Sequence, residues 1–404
     1  MPKSARARGV AFVLWLGFVA LRAPRLFLAP RFWAEEGRDY FGEALHGGFG
    51  TLFHLHHGFV GFVQRVAAWF ATLVPLELAP GVTTAVGFLA QASPAAIWLT
   101  SIEARRASWP RSLAVLLLVA VTVPSHELYA TTTCLHFHLA AAALVCLVTS
   151  TGSRPASLLR IGVLLAGGLS GPPACFLAPL FVVRAWQERA LRDSGARPEA
   201  IALLAATLVQ ATGVLFGQRT PSQFEWSGFF AAVGFKSVLL PLLGKHEAES
   251  LARLLGAHTA LIGAGLVAFL ALLFVRWREP VARRLVLAFA LLTSFGYLGA
   301  LSIGKAEPIA RFAEFSGRYF FAPNLALGML LLTAASATSA RVPCKVVLAI
   351  VLILATHEHL IAGRSRAYFF TGPAWRAEVQ RWRDGATSEL RIWPTPWFVR
   401  IPQN

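Results

Sequence analysis

Twelve apolar runs, most of them close to the length that crosses a lipid bilayer, follow one another along this chain of 404 residues. They cover 9–29, 58–75, 80–101, 111–124, 134–150, 158–184, 198–216, 226–243, 256–276, 284–301, 319–336 and 345–361. About 20 apolar residues in a helix span the roughly 30 Å hydrocarbon core, and only helices or closed barrels satisfy their backbones there. The chain is 56% hydrophobic and 14% charged, with a mean hydropathy of +0.59, too few charges to cover a soluble surface. An all-α, polytopic membrane protein is the fold class these runs imply. The N-terminus, with Lys3, Arg6 and Arg8 ahead of Val10 to Leu21, has the outline of a secretory signal. No small-x-small cleavage site follows, so it reads as an uncleaved first span.

Charge then sorts the runs. Lys and Arg in short loops favour the cytoplasmic side. The Arg-rich connectors are the N-terminus, 103–111, 184–197, 276–284 and 341–345. All five share one side if 58–75 and 226–243 lie along the interface and 158–184 crosses twice, turning at Ser170-Gly171-Pro172-Pro173. Arg65 and Lys236 stand mid-run in the two segments assigned to the interface. This threading predicts about eleven transmembrane helices, with the N-terminus cytoplasmic and the C-terminus periplasmic. Fifteen of the 20 acidic residues then fall on the outer face. The net charge of +17 is thereby a topology signal, and no basic helix interleaved with aromatics points to nucleic acid. Residues 1–361 form the transmembrane domain, with a first outer loop at 30–79 that contains an interfacial helix. The tail 362–404 is too polar to span. Its Trp375, Val379 and Trp382 share one helical face, which predicts packing on the outer surface.

Four cysteines, Cys134, Cys146, Cys175 and Cys344, sit in or beside apolar runs without a CxxC pair. Neither a zinc site nor a disulfide set is indicated. The histidine pairs at His136 and His138, and at His357 and His359, place their rings on opposite helix faces, a poor geometry for chelation. P-loop, GxGxxG and GxSxG signatures are missing.

The chemistry-bearing residues gather on the outer face. Glu35, Glu36 and Asp39 follow Phe32-Trp33 directly after the first span; crowded carboxylates raise one another's pKa and can poise one as a proton acceptor or metal ligand. His126 and Glu127 open the second outer loop ahead of Thr131, Thr132 and Thr133. Arg318 and Tyr319 open a late span, where an arginine can hold a phosphate in two hydrogen bonds. Arg65 is a further binding candidate at this face.

In their order along the chain these motifs resemble the GT-C superfamily of polytopic glycosyltransferases, and within it a group of bacterial multi-span proteins. The resemblance rests on Trp33 to Gly37, Gly58-Phe59, Pro75 to Pro80, His126 to Thr133, Gly171-Pro172, Arg318-Tyr319 and the tail from Trp375 to Trp397. It implies a bacterial inner-membrane enzyme that takes a sugar from a polyprenyl-phosphate donor and places it on a glycan, lipid or protein acceptor. The base or acceptor-positioning role would fall on Glu36, with Glu35 beside it and Asp39 and Glu127 as further acids. Arg318 would meet the lipid phosphate, with Tyr319, His126 and Arg65 nearby. Some branches add a divalent metal, Mg or Mn. The chain departs from the pattern in offering a Glu pair where many relatives have Asp, and Ser170 where several have Lys. Two other functions fit the same runs: a transporter or flippase of a lipid-linked or anionic substrate, and a non-catalytic scaffold of the same fold. Scarce mid-span charge and the lack of an internal repeat argue against transport.

Overall fold

The computed structural model describes residues 4–56, 58–123, 127–188, 195–216, 224–302, 316–336, 341–361 and 371–401. Helices dominate. The described strands form one antiparallel pair in the tail, β1 (Glu389–Arg391) with β2 (Phe398–Arg400).

By length and composition, six helical stretches can cross a bilayer: Leu76–Thr100, Trp226–Leu243, Lys245–Arg276, Pro280–Leu301, Gly317–Ser336 and Val342–Leu360. A seventh arises if Arg154–Ser170 and Pro172–Gln187, bent by 117°, count as one broken span. This is fewer than the eleven expected from apolar runs. Three of the expected spans fall short in helix length. Ala5–Ala20 has 16 residues, Trp109–Val121 has 13 and Leu135–Val148 has 14, so each rises less than the roughly 30 Å a spanning helix covers.

The segment 226–243 also corrects an expectation. It is a continuous helical stretch apolar enough to cross, and it passes through a π-helical turn at Gly234–Leu239. Its Lys236 is fully enclosed by neighbouring helices. A charge in mid-run marks burial within the protein as readily as a position at the interface. The run 58–75 holds an 11-residue helix, Phe62–Thr72, too short to cross.

At the centre stands Leu135–Val148, whose residues from Phe137 onward are all buried. Its Ala140 to Ala143 stretch lets neighbouring helices approach closely. Gly167 of the Arg154–Ser170 helix lies against Leu139, where an added Cβ would come within 3.3 Å of the Leu139 Cβ. At its C-terminal end the Cys146 carbonyl, already bonded by Thr149 N, accepts further hydrogen bonds from Arg160 Nη2 (2.6 Å) and Arg184 Nη1 (2.5 Å). Both arginines bind Glu199, which is fully buried. The basic connectors meet at this end. Glu103 accepts from Ser150 N, Ser101 pairs with Thr151, and Arg284 reaches Gln187 and Glu188. The N-terminal end of the same helix meets the loop of Thr132, which in turn contacts Glu36.

Candidate functional site

The first loop is held by the tail. Trp393 N donates to the Phe32 carbonyl at 3.1 Å, and Ala34 N donates to the Trp393 carbonyl. Trp375 and Val379 pack with Phe32, Phe41 and Ile392 in a small apolar core. The chain then enters a π-helical turn, Glu36–Phe41. Such turns are rare and widen the helix locally.

That turn sends Glu36 inward. Its Oε1 accepts from Thr132 N (2.8 Å) and Thr132 Oγ1 (2.6 Å), and its Oε2 accepts from Trp33 N (2.9 Å). The carboxyl is fully buried. Burial pushes its pKa above the usual carboxylate range, against the opposing pull of Arg31 and of these hydrogen bonds. Arg31 is itself buried between the rings of Trp33 and Trp393, and burial lowers its pKa to about 10. Glu36 thus ties the first outer loop to the second. Three donors take most of its lone-pair sites, which gives it a positioning role.

The second loop is fixed from three sides. Tyr129 donates its hydroxyl to the Val19 carbonyl at 2.7 Å, and Ala130 N reaches Gln91 Oε1 at 3.3 Å. Thr131 presses on Gly87, where a Cβ would come within 2.7 Å of the Thr131 nitrogen. This braces Glu127 against Arg318, Nη1 to Oε2 at 3.2 Å, with both side chains still partly exposed. Glu35 is half-buried, makes no hydrogen bond or ion pair among the described residues, and lies within electrostatic reach of Arg318. Cys134, buried at the mouth of the central helix, is within electrostatic reach of Arg318, Glu127, Glu35 and Glu36 together. Of these groups, Glu127 and Arg318 are in direct contact.

Other expected residues sit apart. Asp39 is held by Arg38 at 2.6 Å and lies 3.8 Å from His56 Nε2. Arg65 is buried, pairs with Glu43 at 2.8 Å and lies over the Tyr40 ring. Tyr319 serves as packing, its ring against Gly299 and edge-on to Phe137. His126 lies outside the described residues.

Sequence reasoning passed over one polar chain beside this cluster. Gln64 Nε2 donates to the Ser170 carbonyl at 2.9 Å and lies 3.3 Å from His136 Nδ1, and Val63 N reaches Ser170 Oγ. These contacts stitch the short Phe62–Thr72 helix to the Gly171 break. The available signal was an amide, Gln64, next to an arginine inside an apolar run. Arg31 was passed over too, although it stands two residues before Trp33, one of the two rings that enclose it.

Among the described residues no three His, Cys, Asp or Glu side chains assemble as a metal ligand set. The acids also fit a divalent cation poorly, since Asp39 is committed to Arg38, Glu127 to Arg318 and Glu36 to backbone and hydroxyl donors. What the cluster offers is a guanidinium for an anion with an unpaired carboxylate near it. No protein-family model matches the chain, nor does any curated protein or any solved structure.

Proposed function

We propose that this chain is a multi-pass membrane glycosyltransferase that moves a sugar from a polyprenyl-phosphate donor to a glycan, lipid or protein acceptor. The arginine-rich end would face the cytoplasm and the acidic cluster the outer side of a bacterial inner membrane. The finer form of that topology, eleven crossings with the C-terminus outside, would need 226–243 to lie along the interface rather than cross. The convergence of basic connectors at one end of the central helix supports the cytoplasmic assignment of that end.

The observation that carries the reading is the partly exposed Arg318–Glu127 pair, with the half-buried Glu35 within electrostatic reach of Arg318. A sugar phosphate anchored in lipid presents its phosphate at headgroup level. Arg318, held in place by Glu127, would stabilise the charge that gathers on that phosphate as its bond to the sugar breaks. Glu35 would accept the proton of the acceptor hydroxyl or amine as its oxygen or nitrogen attacks the anomeric carbon. A single displacement inverts that carbon. The energy lies in the sugar–phosphate bond, so a nucleotide site is not needed.

The test is transfer by purified protein from a panel of polyprenyl-phosphate hexoses and pentoses, followed as polyprenyl phosphate released. Glu35→Gln should slow release by about 100-fold or more while thermal stability holds. Arg318→Gln should fall similarly. Wild-type turnover in Glu35→Gln would remove the assigned base, and no release from any donor would remove the activity.

A further inference from the structure

A cavity of about 490 Å³ lies away from the outer cluster, between Thr259–Arg276, Phe321–Ser336 and Arg341–Leu360. Its walls are almost wholly aliphatic and aromatic. They run from Asn324 to Ala334 on one helix, ten residues or about 15 Å of rise, half of the roughly 30 Å hydrocarbon core. The cavity is therefore as deep as one leaflet.

Two of the bounding stretches, Lys245–Arg276 and Val342–Leu360, are only 17% buried, so the cavity stands beside lipid-facing helices. One end is charged. Arg276 and Trp277 line it together with Cys344, at the end of the molecule where the basic connectors meet. Arg276 is exposed and has no hydrogen bond or ion pair among the described residues. Arg278 and Lys345, next in sequence to lining residues, are exposed as well. The nearby carboxylate of Glu279 is occupied in capping Ala282 N.

An apolar slot of leaflet depth with an uncommitted guanidinium at its mouth matches a molecule with one acyl chain and an anionic head. We propose that this cavity is a binding site for an anionic phospholipid of the adjoining leaflet, one acyl chain filling it and the phosphate on Arg276. The assignment is independent of the glycosyltransferase reading.

Cys344 gives the readout, because it lines the cavity and is the only one of the four cysteines that is not buried. Delipidated protein in detergent is incubated with dioleoylphosphatidylglycerol or dioleoylphosphatidylcholine, and modification of Cys344 by N-ethylmaleimide is followed by peptide mass. Phosphatidylglycerol should protect Cys344 at about tenfold lower concentration than phosphatidylcholine, and Arg276→Gln should erase that difference. Native mass spectrometry should show bound phosphatidylglycerol in the wild type. It should be lost in Ala334→Trp, which fills the cavity, and in Val347→Trp on the facing helix, which serves if the first fails to fold. Equal protection by the two lipids, a preference that survives Arg276→Gln, or lipid retained in both tryptophan variants would each overturn the proposal.

Discussion

Glu35 and Glu36 are adjacent in the chain and opposite in circumstance. Glu36 is enclosed and binds three donors, whereas Glu35 stays half-buried and unpaired near Arg318. The sequence motif favours neither. One residue of offset on a π-helical turn decides which carboxylate is spent on holding the loops and which is left for chemistry. Two substitutions separate the roles. Glu36→Ala strands the Thr132 and Trp33 amides in a buried setting and should lower stability by about 3 kcal/mol, seen as a lower melting temperature in detergent. Glu35→Ala should leave the stability within about 0.5 kcal/mol of wild type, with the melting temperature nearly unchanged. Equal losses would mean that both acids are structural.

Single elements are held by ionic ties at their ends. Arg160, Arg184 and Glu199 close the C-terminal end of the central helix, and all three are buried. Breaking such a set leaves an uncompensated charge. Glu199→Gln should cost about 3–5 kcal/mol, measurable by thermal unfolding, while Glu43→Gln at the half-exposed Arg65 pair should cost less. The tail helix Trp375–Arg383 is tied to β1 by Glu378, which accepts from Arg391 at 2.7 Å. Burial works against the ionised carboxyl there, but the Arg391 hydrogen bonds outweigh it and hold the pKa below the usual carboxylate range. A depressed carboxylate contributes its stability above the unfolded value, about 4.3, and loses it as pH falls through the native value. The tail should stay docked at neutral pH and loosen below about pH 4. Hydrogen exchange of 389–400, corrected for intrinsic rates, should show this in wild type and show no such step in Glu378→Gln.

On the scale of the whole molecule, charge divides the two ends. Exposed His54 belongs to the acidic end and exposed Arg105 to the basic end. In a Cys344→Ser background, His54→Cys should react with a membrane-impermeant maleimide on intact cells, and Arg105→Cys only after lysis. The reverse pattern would invert the topology. The all-helical membrane character was legible from apolar runs and sparse charge, because a bilayer admits no other way to satisfy so long an apolar backbone. The number of long spans was not legible. Apolarity marks what avoids water, and both a 14-residue helix buried in protein and a 22-residue helix in lipid do so. The same ambiguity moved Lys236 from an expected interface into the interior. Membership of the outer cluster was partly legible: Glu127 and Arg318, 191 positions apart, were both named, yet their pairing follows only from loops braced by Gly87, Gln91 and Tyr129. By itself the sequence determined the solvent this chain lives in, since hydropathy acts locally. Tertiary structure alone decided which acids meet, which are spent on holding loops and where a leaflet-deep cavity opens, because those outcomes depend on contacts between segments far apart in the chain.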